Sequence, residues 1–156
     1  VCMLDNLTLY EHLPEKQFQH LSAQFAREPA YRYIGLKLRD LRRGFCATVT
    51  TVSNDLHHHR GAVQGGIIAM IADATAGYTA LASLDVEAMY DDMATIEFKT
   101  SFFRPGAAKE LICVSNLVHG GNRTLFCAAK IYLDEIGDNQ LCADATLTFS
   151  RLRSRA

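Results

Sequence analysis

The sequence lacks the marks of several protein classes. Among 156 residues, 16 Lys and Arg stand against 17 Asp and Glu, a formal net charge of −1. No excess of one sign draws the chain to nucleic acid or to an anionic membrane, so an anionic ligand would need a local basic cluster. There is no GxSxG elbow, which argues against a Ser-His-Asp hydrolase. There is neither a Walker loop nor a GxGxxG run, so phosphoryl transfer and dinucleotide chemistry have no support. The five cysteines, Cys2, Cys46, Cys113, Cys127 and Cys142, are odd in number and form no CxxC pair. Buried free thiols are expected rather than a disulfide framework, and with them a reducing, cytoplasmic location. The N-terminal residues carry no long apolar run and read as neither a signal nor a transit peptide; without an initiator Met the start reads as trimmed. No repeat, low-complexity tract or linker interrupts a length that fits a single domain, 1–156.

What is present is ordered periodicity. Residues 14–28 read as an amphipathic helix, with Phe18, Leu21 and Phe25 at helical spacing and Pro29 ending it. Strand-like runs at 32–40 and 44–53 are followed by a polar loop, 54–62. From about 63 to 84 the chain is almost wholly apolar or small, with one charge, Asp73. Its alanine content predicts a long buried helix. A membrane span is rejected because Gln64, Asp73, Thr75, Tyr78 and Thr79 interrupt the run and an uncompensated Asp is costly in lipid. Strand-like stretches at 94–103, 109–118, 123–134 and 140–150 are separated by short turns rich in Gly, Pro, Asn and Asp. Strands so joined are antiparallel. The predicted class is α+β, a curved antiparallel sheet wrapped around one central helix.

Asp73 is the chemical focus. A buried carboxylate is costly unless paired or hydrogen-bonded, and burial raises its pKa toward that of a useful base; the bland alternative is an Asp held in an ion pair. Gly65 and Gly66 open the same helix, where unpaired N–H groups and the dipole favour an oxyanion, although a glycine pair can equally be a tight turn. Eight residues separate Gly65 from Asp73, about 12 Å along a helix, so one carbonyl cannot reach both. If both serve one reaction, they come from different copies of the chain in a symmetric dimer.

The run GAVQGGIIAMIADATAG (61–77) resembles the signature of the PaaI-like hotdog thioesterases, with the same spacing from the glycine pair to the acid. TIEFKTSFFRPG (95–106) and GNRTLFCAAKIYLDEIGDNQLCADATLTF (121–149) resemble that family's central and closing strands, so the likeness spans roughly 32–150. It implies a hotdog fold and hydrolysis of an acyl- or aryl-CoA thioester by a homodimer or homotetramer, with no metal or other cofactor. Asp73 would be the nucleophile or the base that activates water, and the Gly65 N–H would polarise the carbonyl. Two positions depart from the signature. Its His is Gln64, which can donate a hydrogen bond but cannot titrate, and the upstream amide is His58, which could supply the imidazole instead. The hydroxyl often found one turn after the acid is Gly77, leaving Thr75 as the nearest. Gly66, Thr75, Arg104 and Arg123 are candidate substrate contacts, the two arginines for CoA phosphates. Ile68, Met70 and Phe102 are expected to line an acyl pocket between subunits. His57, His58 and His59 read as a solvated loop rather than a metal site. A hotdog hydratase or dehydratase, or a non-catalytic acyl-CoA-binding module, are the alternative readings.

Overall fold

The structure, a computed structural model, describes residues 8–154; Cys2 lies outside them. Its elements in chain order are α1 (Glu15–Arg27), α2 (Pro29–Tyr33), β1 (Leu36–Arg42), β2 (Phe45–Thr51), α3 (Gly65–Ala82), β3 (Asp92–Phe102), β4 (Glu110–Gly120), β5 (Thr124–Leu133) and β6 (Leu141–Leu152). The six strands form one sheet in the order β1-β2-β4-β5-β6-β3, every pairing antiparallel. The sheet curves around α3, and its inner face supplies Cys113, Cys127, Ala129, Ile131, Leu147 and Phe149 to the core. This is the hotdog arrangement.

α3 has no polar side because the sheet covers most of it: Ile68, Ile71, Ala72, Ala74, Ala76, Tyr78 and Ala80 are all buried. By length and composition it could cross a bilayer, yet 61% of it is buried inside the fold. Its small residues suit a helix that the sheet must approach closely. α1 lays Leu21 and Phe25 against the core, and the buried Gln17 side chain donates to the Leu84 carbonyl at the far end of α3. A smaller cluster on the outer sheet face joins Phe45, Ala47, Ile112, Val114 and Tyr132.

One expected boundary is corrected. Pro29 does end α1, but it also opens α2, which takes in residues 32 and 33 of the first expected strand. At a first helical position proline's missing N–H costs nothing. β1 therefore begins only at Leu36, after Gly35.

β3 is an edge strand and its outer side has no partner among the described residues. Phe98 lies opposite Leu147 and Phe102 opposite Ala143 in the β6 register, so both face the same side as the core. They are nevertheless 47% and 52% exposed, because α3 leaves this margin uncovered. Along α3, Gly66, Ala69, Met70, Asp73 and Gly77 recur at helical spacing as a stripe that is not fully buried. The Asp73–Thr95 hydrogen bond and the approach of Phe102 to Gly65 place this stripe beside β3.

Candidate active site

The loop before α3 folds into a tight hairpin. The His58 N–H donates to the Ala62 carbonyl (2.9 Å), the Gly61 N–H to the His58 carbonyl (3.0 Å) and the Gln64 N–H to the Leu56 carbonyl (2.9 Å). Gly61 takes φ +81° at the bend, a conformation that favours glycine. The Val63 N–H donates to the Gly106 carbonyl (3.1 Å), pinning the hairpin to the Pro-Gly turn after β3. A Cβ at Gly106 would stand 3.1 Å from both Ile68 and Val63, a tight fit that glycine avoids.

These contacts border an open cavity of about 470 Å³ with an apolar floor of Val63, Ile68, Phe102 and Phe103. Gly65, His58, Arg60 and Arg104 also border it. The His58 Nδ1 accepts the Arg60 backbone N–H at 3.0 Å, an arrangement that in the neutral ring leaves Nε2–H free to donate. The Arg104 N–H donates to the Cys142 carbonyl, and the Cys142 thiol donates back to the Arg104 carbonyl at 3.2 Å. Two guanidinium groups beside an apolar floor suit an anionic ligand with a greasy arm.

Gln64 is the N-cap of α3. Its Oε1 accepts the Gly65 N–H at 3.2 Å, so the amide expected to polarise a carbonyl is already occupied. The contact is long and exposed, and a ligand oxygen can displace it; the freed amide group of Gln64 can then donate to the same oxygen.

Asp73 lies elsewhere on the helix. It borders a second cavity, of about 260 Å³, together with Gly77, Met93, Thr95 and Phe149. Gly65 and Asp73 therefore serve different cavities of one chain. None of the ion pairs among the described residues includes Asp73. Its Oδ1 accepts from the Thr95 hydroxyl at 2.8 Å. Burial raises its pKa above the ordinary 3.8, and the Thr95 hydrogen bond partly opposes this. Thr95→Val removes the opposing influence, so the acid limb of the kcat/KM profile is expected to move to higher pH; an unmoved limb would show that Thr95 does not tune this carboxylate.

Two expected positions, Thr75 and Met70, need correction. Thr75 is fully buried, donating to the Ile71 carbonyl (2.7 Å) and paired with the Thr48 hydroxyl (2.7 Å), so it cannot touch substrate. Two residues along a helix is about 200° around it, which puts Thr75 on the face opposite Asp73. The hydroxyl beside the acid comes instead from β3, through Thr95. Met70 packs against the core, whereas Ile68 and Phe102 do line the first cavity. Arg123 sits exposed before β5 and borders neither cavity, and Gly66 is exposed with open space around it. The His58 and His59 rings are 5.8 Å apart and tilted by 54°, and only His58 borders the cavity.

Gly77 borders Asp73's cavity one turn beyond the acid. A Cβ there would meet only Phe149, at an ordinary 3.7 Å. Glycine inside a helix costs roughly 1 kcal/mol relative to alanine, and packing does not demand it here. What it preserves is space beside the carboxylate.

Solved structures share this architecture. They include a thioesterase family protein from Silicibacter pomeroyi (TM-score 0.80, 24% identity, covering 88% of this chain and 99% of that one). The PaaI protein of the E. coli phenylacetic acid degradation operon is similar too (TM-score 0.76, 18% identity, 88% and 94% covered), as is a thioesterase from Haemophilus influenzae (TM-score 0.76, 14% identity, 93% and 95% covered). At such identities the likeness establishes the fold. A search of curated proteins gives no match. Sequence places the chain further: residues 60–139, just over half of it and including both ends of the Gly65-to-Asp73 spacing, match one family, and the chain belongs to the thioesterase superfamily.

Proposed function

We propose that the protein hydrolyses acyl-CoA thioesters at composite sites of a homodimer. The observation that carries this reading is a carboxylate that has no cationic partner among the described residues, set in an incompletely covered helix stripe beside a sheet edge that none of them pairs. An 11-residue edge with Phe98 and Phe102 half exposed invites pairing with a second copy. A two-fold axis at that edge brings the Gly65 end of one α3 toward Asp73 of the other. Such dimers can pair again into tetramers.

In this arrangement the pantetheine arm lies on the floor of the first cavity, with CoA phosphates at Arg60 and Arg104. The Gly65 N–H takes the thioester oxygen from Gln64 and holds it as negative charge develops, and His58 offers its Nε2–H to the same region. Asp73 of the facing subunit takes a proton from water, which adds to the carbonyl; alternatively the carboxylate attacks first and water releases the acyl-enzyme. Either way the C–S bond breaks; the CoA thiolate takes the proton that Asp73 removed from water in the first route, and one from solvent in the second, which hydrolysis of the acyl-enzyme returns. No metal or redox cofactor enters. Four buried free thiols support a reducing location, the cytoplasm.

The test is an acyl-CoA series with detection of the released thiol, run beside hydration of crotonyl-CoA. Hydrolysis is expected and hydration is not; the reverse would make the protein a hydratase. Arg60→Ala and Arg104→Ala are expected to raise KM several-fold for acyl-CoA but not for the matching N-acetylcysteamine thioester, which carries no phosphate. Equal effects on both would remove the arginines from phosphate binding.

A further inference from the structure

A third cavity, of about 430 Å³, opens between the last turns of α1 and the start of β1. That volume falls within the span of ordinary small-ligand sites. The cavity shares no lining residue with the two described above. β1 is the sheet edge opposite β3, so the cavity is not at the edge where two subunits would pair. Its floor is apolar. Leu36 and Leu38 stand two apart on β1 and face the same side of the strand, and Phe25 and Ala26 of α1 complete the floor. Phe25 is 3% exposed, and its ring lies 5.0 Å from Tyr31 and 4.9 Å from Tyr78. Those tyrosines border Asp73's cavity, so Phe25 stands between the two spaces. The rim carries charge of one sign. Arg32 and Lys37 are exposed and border the cavity, and no Asp or Glu does. Neither cation belongs to an ion pair among the described residues. The Ser22 hydroxyl, at the same border, has no hydrogen-bond partner among them either, and such a group calls for one.

We propose that this cavity binds a single-chain amphiphile with an anionic head, at a site separate from the reacting centre. The alkyl chain lies on Phe25, Leu36 and Leu38. The head takes charge-assisted hydrogen bonds from Arg32 and Lys37. A cationic amphiphile would be repelled by both residues, and a neutral one would leave them unanswered. A second copy of the protein docked over the same patch would bring its own Arg32 and Lys37 against these two. A membrane surface is drawn by clusters of roughly four to eight Lys and Arg, more than this rim holds. The site does not depend on the thioesterase reading, and its test is binding rather than turnover.

The experiment is isothermal titration of the whole protein with decanoate, decyl phosphate, decanol and decyltrimethylammonium, each below its micellar concentration. Saturable binding of an anionic amphiphile is expected, and the tighter of decanoate and decyl phosphate identifies the head. Decanol and the ammonium are expected to bind at least tenfold more weakly, and octanoate roughly tenfold more weakly than decanoate, because it buries two fewer methylenes. Ala26 is exposed on α1, so Ala26→Phe fills the cavity without disturbing the core. That variant, and Arg32→Glu combined with Lys37→Glu, are each expected to raise Kd at least tenfold while circular dichroism melts stay those of the wild type. Arg104→Ala, in the first cavity, is expected to leave Kd within about twofold. Absence of saturable binding by either anion would overturn the proposal. So would tighter binding of the ammonium, an affinity that ignores Ala26→Phe and the charge reversals, or one that is lost with Arg104→Ala. Binding to phosphatidylglycerol vesicles without binding of either free anion would make the patch a membrane contact and overturn it too. Each of these outcomes leaves the thioesterase reading standing.

Discussion

Asp73→Asn is expected to lower kcat by about 10³-fold and, at neutral pH, to melt at a higher temperature than the wild type. The two effects share one cause. Asp73 is half-buried and no cation among the described residues pairs with it, so its charge is held at a cost that the Thr95 hydrogen bond offsets only in part. Asparagine keeps an oxygen for the Thr95 hydroxyl and removes the charge, while giving up both proton acceptance and nucleophilic attack. The pH dependence follows from the direction of the shift. The folded-state pKa lies above the unfolded one, so this group's contribution to stability is complete below the ordinary value of 3.8 and is lost as pH rises through the folded value. The Tm difference should therefore be largest at neutral pH and shrink on acidification. Circular dichroism melts across pH, beside steady-state thiol release, measure both. Wild-type turnover in the variant would end the case for Asp73. A single turnover in heavy-oxygen water then bears on the chemical route: label in the Asp73 carboxylate requires nucleophilic attack followed by water at the Asp73 side of the anhydride, whereas direct attack of water puts label only in the released acid.

Much of this was legible in the sequence because a few residues carried strong local signals. A run from 63 to 84 with one charge and several polar interruptions reads as a helix covered on nearly all sides, and the acid within it as one held at a cost. The separators between the last four strands named their own turns. Other features depend on contacts that local pattern does not encode. Thr95 meets Asp73 across 22 residues of chain, and nothing in TIEFKTSFF marks that threonine over its neighbours. Thr75 looked like the nearest hydroxyl because sequence distance is short, yet the helical angle of about 100° per residue turns it into the core toward Thr48. Residues 29–33 (PAYRY) read as a helix stop followed by aromatic, strand-like residues, but Pro29 at a first helical position and the packing of Tyr31 on Phe25 settle a short helix there.

Equal amounts of Asp73→Asn and Gly65→Pro protein, each nearly inactive alone, are expected to recover about a quarter of wild-type activity once their subunits exchange. Gly65→Pro is suited to the purpose. Gly65 is the first residue of α3 and Gln64 before it has φ −58° and ψ 133°, a conformation that proline both tolerates after it and favours. A Cβ at Gly65 meets Phe102 at an ordinary 3.5 Å. The substitution thus deletes one N–H and keeps the helix, and losing one oxyanion donor is worth about 10²- to 10³-fold in kcat. In a mixed dimer one composite site has lost both groups and the other has lost neither. Random exchange makes half of the dimers mixed, each with one working site in two. The converse mixture runs the other way. Wild type exchanged with the doubly substituted chain should fall from half to about a quarter of full activity, because every mixed dimer then has one damaged group in each site. A site contained within one chain predicts no recovery in the first mixture and no loss in the second. The two mixtures together decide whether Asp73 works on a carbonyl held by its own helix or by the helix of its neighbour.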